Sequence, residues 1–217
     1  MKRVVWLAMV GALAAGGLVP ALWADDDLAQ GKILVADRKL KDPSFERAVV
    51  YLITYDDQGA VGLILNRETD TPVTKILNGV REATSRKDFA FQGGPVEPSS
   101  IMALYRTVAS TGGRQGTRQV GRDVVALLDE AALKRALAAG ADATALRFYT
   151  GYAGWGPGQL ENEVDVGAWT VLSGDSKTVF DTTPETLWDR LNRRKDERVA
   201  RAAAPLHQDR SLTPAAQ

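Results

Sequence analysis

The chain has 217 residues, of which 45% are hydrophobic and 25% are charged, an ordinary composition for a globular domain. This length suits one substantial domain, or two small ones that share a core. The 27 lysines and arginines balance the 27 aspartates and glutamates, so no basic field covers the surface to attract nucleic acid. Any partner must therefore be recognised locally.

The chain lacks cysteine, which excludes thiol catalysis, thiolate metal sites and redox relays. Its single histidine, His207, lies in a tail near the C-terminus that contains alanine and proline. The body of the chain therefore lacks the histidine that a Ser-His-Asp triad or a histidine-based zinc site needs. We expect no metal and no cofactor.

The first residues have the order of a secretory signal peptide. Lys2 and Arg3 precede an apolar run over residues 4–19, and a short segment ending in Ala24 leads into three aspartates at residues 25–27. A basic start, an apolar centre and a small residue at the cleavage site define such a peptide. We expect residues 1–24 to be removed and the product to be periplasmic or secreted, the alternative being an uncleaved membrane anchor.

Strand-like and helix-like segments alternate along the rest of the chain. Short apolar runs between turn residues, rich in valine, isoleucine and aromatic side chains, predict strands. They lie at residues 32–36, 48–55, 60–65, 89–92, 101–105, 145–150, 169–172 and 179–180. Residues 124–128 are either a buried strand or the lead-in to a helix. Residues 107–122, which are rich in glycine and arginine, predict a mobile hairpin tip.

Capping residues and prolines mark the expected helices. Pro72 and Pro184 favour helix starts, because proline is well suited to the first helical position. Asp129 is a good N-cap for a helix over residues 130–139, and Gly140 is suited to ending it.

A further helix is expected between Gln159 and Gly167. Residues 195–217 contain charges, alanines and prolines without a sustained apolar stripe, which predicts a disordered tail. Residues 25–194 then form a single domain. Because hairpins occur among the alternating strands and helices, we predict an α+β fold with a mixed or mainly antiparallel sheet.

The most unusual stretch reads Gly-Tyr-Ala-Gly-Trp-Gly-Pro-Gly-Gln-Leu at residues 151–160. Its four glycines and one proline predict an irregular loop that is neither helix nor strand. A predicted strand precedes the stretch and a predicted helix follows it, so backbone geometry alone can require these glycines. We expect an architectural role first, recognition second and chemistry third.

Several separated motifs resemble those of the AlgH/YqgE family of bacterial proteins, across about residues 30–192. In order they are Gly-Lys-Ile-Leu-Val-Ala at 31–36, Asp-Pro-Ser-Phe at 42–45, Gly-Ala-Val-Gly-Leu-Ile-Leu-Asn-Arg at 59–67, Gln-Gly-Gly-Pro-Val at 92–96, the 151–160 stretch, and Phe-Asp-Thr at 180–182. The resemblance implies a bifurcated mixed or antiparallel β-sheet, with a small partly closed barrel surrounded by helices. It supplies no established catalytic residues, and members are labelled transcriptional regulators.

Two positions depart from the family's pattern. Glu68 stands where members usually have proline, and Tyr105 stands where they tend to have histidine. The turn after Arg67 is therefore less rigid and gains a carboxylate. Any histidine-dependent chemistry of the family does not carry over.

Polar and glycine-rich positions of these motifs could converge on one cleft that binds a small anionic ligand or a protein partner. The candidates are Asp42, Asn66, Arg67, Gly93, Gly94, Tyr152, Trp155, Gln159 and Glu161. An arginine fork suits a carboxylate or phosphate, and a helix N-terminus offers free N–H groups to an anion. The alternative is structural: the glycines permit tight packing, Trp155 belongs to the core, Arg67 pairs with Asp42 or a helix acid, and Glu161 caps a helix.

Three functions remain open. The missing histidine and cysteine favour an exported binding or adaptor domain without catalysis. The family label suggests DNA binding, which the neutral charge, the export signal and the lack of a recognisable helix-turn-helix oppose. A carboxylate-dependent hydrolase would use Glu161 or Asp42 as the base and Arg67 to stabilise negative charge.

Overall fold

The computed structural model of the chain describes residues 27–107 and 115–203. The predicted signal peptide at residues 1–24 lies outside the described residues. So do residues 108–114 of the predicted hairpin tip and residues 204–217 of the predicted tail.

Ten strands in the described ranges form one curled sheet with a fork. They are β1 (Lys32–Ala36), β2 (Val49–Asp56), β3 (Gly59–Ile64), β4 (Glu68–Pro72), β5 (Phe89–Gln92), β6 (Val96–Arg106), β7 (Thr117–Gly121), β8 (Val124–Leu127), β9 (Leu146–Trp155) and β10 (Trp169–Ser173). The main path runs β10-β1-β2-β3-β9-β6-β8-β7 with antiparallel neighbours, while β4 pairs with β5 and β5 lies parallel to β9. The sheet curls into a half-barrel that brings β7 near the start of β1, where the side-chain amide of Gln30 donates to the Gln119 carbonyl at 2.8 Å.

Five α-helices flank the sheet in the described ranges. They are α1 (Val73–Ile76), α2 (Glu130–Ala138), α3 (Gln159–Asp165), α4 (Ser176–Val179) and α5 (Leu187–Ala203). The predicted boundaries of α2 follow from its caps. Asp129 accepts a hydrogen bond from the Ala132 N–H at 2.7 Å, and Gly140 ends the helix at φ 78°.

The fork lies where β9 changes partners along one of its sides. Its first half pairs with β5, at Tyr149 and Thr150, and its second half pairs with β3, from Ala153 to Trp155. Gly93 lies at the branch point, because its N–H donates to the Thr150 carbonyl at 2.8 Å and its carbonyl accepts from the Ile64 N–H at 2.9 Å. The predicted bifurcated α+β fold is thereby confirmed.

Two hydrophobic clusters fill the described part of the fold. The larger one lies inside the half-barrel and includes the fully buried Tyr51 and Tyr149. The smaller one joins α1 and α2 to the first half of β9, with Leu137 and Phe148 among its members. The two halves of β9 therefore serve different parts of the core.

Four predictions of local structure differ from the observed fold. Residues 117–121 of the predicted mobile hairpin tip form strand β7, which pairs with β8. Residues 151–155 belong to β9 rather than to an irregular loop, because they pair with β3 and β6 and because Gly151 leaves room for the backbone of Gly94. Val179 ends α4 instead of starting a strand, since the Asp175 carboxylate caps that helix by accepting from the Thr178 N–H at 2.8 Å. Helix α5 continues past residue 195 to Ala203, where disorder was expected, and Arg38 pairs with Asp196 on it at 2.7 Å.

Substitution of Gly94 by alanine tests the fork. A Cβ there would collide with the backbone of Tyr152 and Ala153, whereas a Cβ on Gly156 would meet nothing within 4 Å. We expect Gly94→Ala to lower the free energy of unfolding by about 2 to 4 kcal/mol, because backbone atoms cannot turn aside as a side chain does. Gly156→Ala should change it by less than about 0.5 kcal/mol. Urea unfolding with equal midpoints for the two variants would contradict this account.

Candidate functional site

Asp42 organises the turn at residues 42–47. Its carboxylate accepts from the Ser44 N–H at 2.7 Å, and its carbonyl accepts from the N–H groups of Phe45 and Glu46 at 2.9 and 2.7 Å. Arg47 closes the turn with a left-handed φ of 56°, which is unusual for a residue other than glycine. The Asp42 carboxylate is therefore used to fix the chain locally.

Asn66 and Arg67, at the end of β3, hold this turn against the sheet. The Asn66 amide accepts from the Val49 N–H at 2.8 Å and donates to the Arg47 carbonyl at 2.9 Å. The Arg67 guanidinium donates to the carbonyls of Ser44 and Glu46 at 2.7 and 3.1 Å. Burial lowers the pKa of Arg67, and the nearby negative charge of Asp42 opposes that shift.

The clamped turn presents Phe45 to two tryptophans. The ring of Phe45 stacks on Trp155 at a centroid distance of 5.8 Å and meets Trp169 edge-on at 5.6 Å. The two indoles are themselves 6.0 Å apart in an edge-to-face arrangement. Trp155 and Trp169 are buried, so this aromatic cluster belongs to the core. This agrees with the structural alternative given above, in which Trp155 is a core residue.

Glu163 on α3 connects the aromatic cluster to the helix. One carboxylate oxygen accepts from the indole N–H groups of Trp155 and Trp169 at 2.9 and 2.8 Å. The other accepts from the side-chain NH₂ of Gln159 at 2.9 Å, and the side-chain oxygen of Gln159 accepts from the Gly156 N–H at 3.1 Å. Sequence reasoning did not select Glu163 as a site residue, although its spacing of four residues from Gln159 indicates a shared helix face.

Glu161, on the same helix, pairs with Tyr55 at the end of β2. The tyrosine hydroxyl donates to the Glu161 carboxylate at 2.6 Å. This hydrogen bond is the main reason that the pKa of Tyr55 is raised to about 12, with burial and the carboxylate's charge adding to it. Glu161 therefore accepts a bond from a side chain of a neighbouring strand rather than capping its own helix.

The remaining candidates lie at the fork. Gly93 and Gly94 lie against β9, where a Cβ on either glycine would collide with backbone atoms. Tyr152 pairs with Val96 across the sheet and packs half-buried against the core. The backbone also joins this region to the clamped turn, because the Gln92 N–H donates to the Arg67 carbonyl at 2.8 Å.

The structure thus brings the candidates into one connected region, but as a network of internal contacts. Asp42, Asn66 and Arg67 hold the turn, Trp155 and Gln159 bind Glu163, and the glycines permit close backbone approach. The two carboxylates suggested as a hydrolytic base, Asp42 and Glu161, both have structural partners. This geometry supports architectural roles, and ligand binding at these residues stays a prediction.

Two clefts in the described part of the chain lie elsewhere. The larger, which we call the α2 cleft, has a volume of about 550 Å³ and is lined by Glu82, Ser85, Arg86, Lys87, Asp88, Leu137, Gly140, Ala141, Asp142 and Ala143. The smaller has a volume of about 150 Å³ and is lined by Thr74, Leu77, Asn78, Gly79, Val80, Arg81, Ala83 and Thr84. Neither is lined by any of the candidate residues. Residues 81–88, the polar connector between α1 and β5, were not among the site residues predicted from the sequence.

Arg86 fixes the wall of the α2 cleft. Its side chain is only 6% exposed and forms a two-pronged ion pair with Asp88, at 2.7 and 2.5 Å. It also donates to the carbonyls of Ala141 and Leu146 at 2.6 and 2.8 Å, and its guanidinium lies 5.3 Å from the centre of the Phe148 ring. These contacts bind the connector to the end of α2 and to β9.

In residues 27–107 and 115–203, the acidic side chains form no group of three or more that could hold a metal ion. No helix in the same ranges combines the length and apolar character needed to cross a membrane.

The pairing of Tyr55 with Glu161 predicts a titration change. Glu161→Gln should lower the pKa of Tyr55 from about 12 towards its ordinary value of 10.0, because the charged acceptor is lost. In the wild type the pair stabilises the fold fully below the unfolded pKa of 10.0, and this contribution is lost as the pH rises through about 12. NMR titration of carbon-13-labelled tyrosine measures the shift. Asp165→Asn, an exposed change on the same helix, is the control, and equal Tyr55 pKa values in both variants would refute the pairing.

The amino-acid sequence is similar to a family model and to individual bacterial proteins. A family model described as AlgH-like matches residues 33–200. A UPF0301 protein of Streptomyces avermitilis is 40% identical over 176 residues, covering 80% of this chain and 90% of that protein. A UPF0301 protein of Mycobacterium tuberculosis is 35% identical over 168 residues, covering 76% of this chain and 81% of that protein.

Solved structures share the same architecture. A crystal structure of a Corynebacterium diphtheriae protein superposes with a TM-score of 0.64 at 20% identity, covering 82% of this chain and 93% of that one. The solution structure of the AlgH protein from Pseudomonas aeruginosa superposes with a TM-score of 0.59 at 26% identity, covering 86% of this chain and 95% of that one. The resemblance seen in the separated motifs is confirmed, and the chain belongs to the AlgH-like family.

Proposed function

We propose that this chain is an exported binding domain that performs no catalysis of its own and takes a small ligand in the α2 cleft. The observation that carries the proposal is the cleft itself. Its volume of about 550 Å³ lies within the range of about 300 to 1,000 Å³ that small-molecule sites occupy. Six of its ten lining residues are polar or charged, and Leu137, Ala141 and Ala143 add apolar surface, so the cleft offers a ligand both kinds of contact.

The rigidity of the cleft wall supports binding. Arg86 ties the connector to the carbonyls of Ala141 and Leu146 and to Asp88, so both sides of the cleft are held in place before any ligand enters. A preformed site loses less conformational entropy on binding than one that must be ordered.

The carboxylates suggested as a hydrolytic base already have hydrogen-bond partners, which favours a binding function over hydrolysis. Glu161 accepts the Tyr55 hydroxyl at 2.6 Å, and Asp42 accepts the Ser44 N–H at 2.7 Å. The guanidinium of Arg67, suggested for stabilising negative charge, donates to two carbonyls of the clamped turn. A hydrolytic role for these groups would require breaking the contacts that hold the turn and α3.

Export rests on the order of residues 1–24, with basic, apolar and small residues in sequence before three aspartates. The absence of cysteine is compatible with an oxidising compartment, because a chain of this size can be held by its core alone. The role of a DNA-binding regulator is less well supported, since the chain carries no net charge.

The cleft assignment predicts where small molecules bind. In a fragment screen by protein NMR on residues 25–217, binding fragments should shift the amide signals of residues 82–88 and 137–143. Ser85→Trp, at an exposed position of the cleft lining, should remove these shifts by filling the cleft. Gln58→Trp, at the exposed turn between β2 and β3, should leave them unchanged. Shifts confined to the aromatic cluster, or shifts that survive Ser85→Trp, would contradict the assignment.

Export predicts a shortened product. Fractionation of bacteria that express the full chain, followed by N-terminal sequencing, should recover a protein outside the cytoplasm that begins near Asp25. A variant lacking residues 2–24 should stay in the cytoplasm. Recovery of the wild-type chain with an intact N-terminus from the cytoplasmic fraction would overturn export without bearing on the cleft.

A further inference from the structure

Asn78 and Gly79 form the chain's single Asn-Gly pair, in the exposed turn that follows α1. The amide carbon of an asparagine side chain can be attacked by the backbone nitrogen of the next residue, which closes a five-membered succinimide ring. Glycine hinders this attack least, because it has no Cβ beside the attacking nitrogen. The pair therefore carries both groups that an intramolecular reaction needs.

The structure leaves both reacting groups accessible. The two residues are exposed, and a Cβ on Gly79 would meet nothing within 4 Å. In the described part of the chain the Asn78 side chain and the Gly79 N–H have no hydrogen-bond partner, whereas the next N–H, that of Val80, donates to the Leu77 carbonyl at 3.0 Å. The attacking nitrogen thus gives up no hydrogen bond there when it approaches the side chain.

The chain's three other asparagines are placed differently, and none of them is followed by glycine. The Asn66 amide is held by the two hydrogen bonds that fix the clamped turn. Asn192 is buried in α5 and donates to the Trp188 carbonyl at 3.1 Å, and Asn162 lies within α3. Helical backbone nitrogens are used in the hydrogen bonds of the helix. Sequence and structure therefore single out Asn78.

We propose that Asn78 is a modification site, at which the folded protein converts the asparagine to aspartate and isoaspartate without an enzyme. The Gly79 nitrogen loses its proton to solvent and bonds to the Asn78 amide carbon, and the side-chain nitrogen leaves as ammonia. Water then opens the succinimide at either of its two carbonyls. One opening gives aspartate, and the other gives isoaspartate, in which the backbone runs through the former side chain. In sum one water is taken up, one ammonia is released and nothing is oxidised or reduced.

The conversion changes the smaller cleft, whose lining includes both residues and the exposed Arg81. Either product adds a carboxylate close in sequence to this arginine. Isoaspartate also adds a methylene to the backbone of the turn closed by the bond between Val80 and Leu77, and Leu77 belongs to the smaller hydrophobic cluster. Neither Asn78 nor Gly79 lines the α2 cleft, so the modification does not rest on the proposed function.

The test follows the four asparagines in the purified protein during incubation in mildly alkaline buffer, with peptides analysed by liquid chromatography and mass spectrometry. Trypsin cuts after Lys75 and Arg81, so Asn78 leaves in a peptide of residues 76–81. We expect this peptide to be replaced by its aspartate and isoaspartate forms, while the peptides that carry the other three asparagines keep their mass. An unchanged 76–81 peptide, after a time in which a synthetic peptide of that sequence has converted completely, would overturn the proposal.

Gly79→Ala and Gly167→Ala provide a matched pair of variants. Both glycines have a left-handed backbone, with φ of 89° and 78°, and a Cβ on either would meet nothing within 4 Å. Gly79→Ala should slow the loss of Asn78 several-fold, because the new methyl group crowds the attacking nitrogen. Gly167→Ala, which follows Val166, should leave the rate unchanged. Equal rates of Asn78 loss in the two variants would overturn the intramolecular route.

Discussion

The close approach of three backbones at Gly93 is the constraint on which the rest of the structure depends. At this point β9 exchanges β5 for β3, and Gly93 bonds to both β9 and β3. A side chain on Gly93 would meet the Gly151 carbonyl, and one on Gly94 would meet the backbone of Tyr152. The fork therefore requires glycine on both of the segments that meet there. It accounts for the Gly-Gly-Pro and Gly-Tyr-Ala-Gly motifs together.

The fork also divides the molecule into two parts with different uses. The second half of β9 leads to Trp155 and the aromatic cluster, where the indoles, Glu163 and the clamped turn satisfy one another. The first half begins at Leu146, whose carbonyl accepts a bond from Arg86 in the wall of the α2 cleft. The most distinctive sequence thus builds a closed structural region, while the open cleft lies at the opposite end of the same strand.

Much of the fold could be predicted from the sequence because local signals and burial agree. The apolar run of β2 and the Asp129 cap are examples that the structure confirms. Residues 151–155 were missed because glycine-rich strands have no local signal, and only the approach of Gly94 shows why they are extended. The convergence of Arg67 with Asp42 was predictable, but its use as a turn clamp depends on carbonyls that no sequence pattern reveals. The cleft depends on tertiary placement in the same way.

Buried charge in this fold is matched by nearby donors and acceptors. Arg86 has four donor contacts, and Arg147 donates to the Val179 and Asp181 carbonyls while its guanidinium lies 4.8 Å from the centre of the Phe91 ring. Because folded proteins satisfy nearly all buried polar groups, each one without a partner needs a physical reason. Arg86 and Arg147 both donate to backbone carbonyls, so each guanidinium joins separate segments of the chain around the sheet.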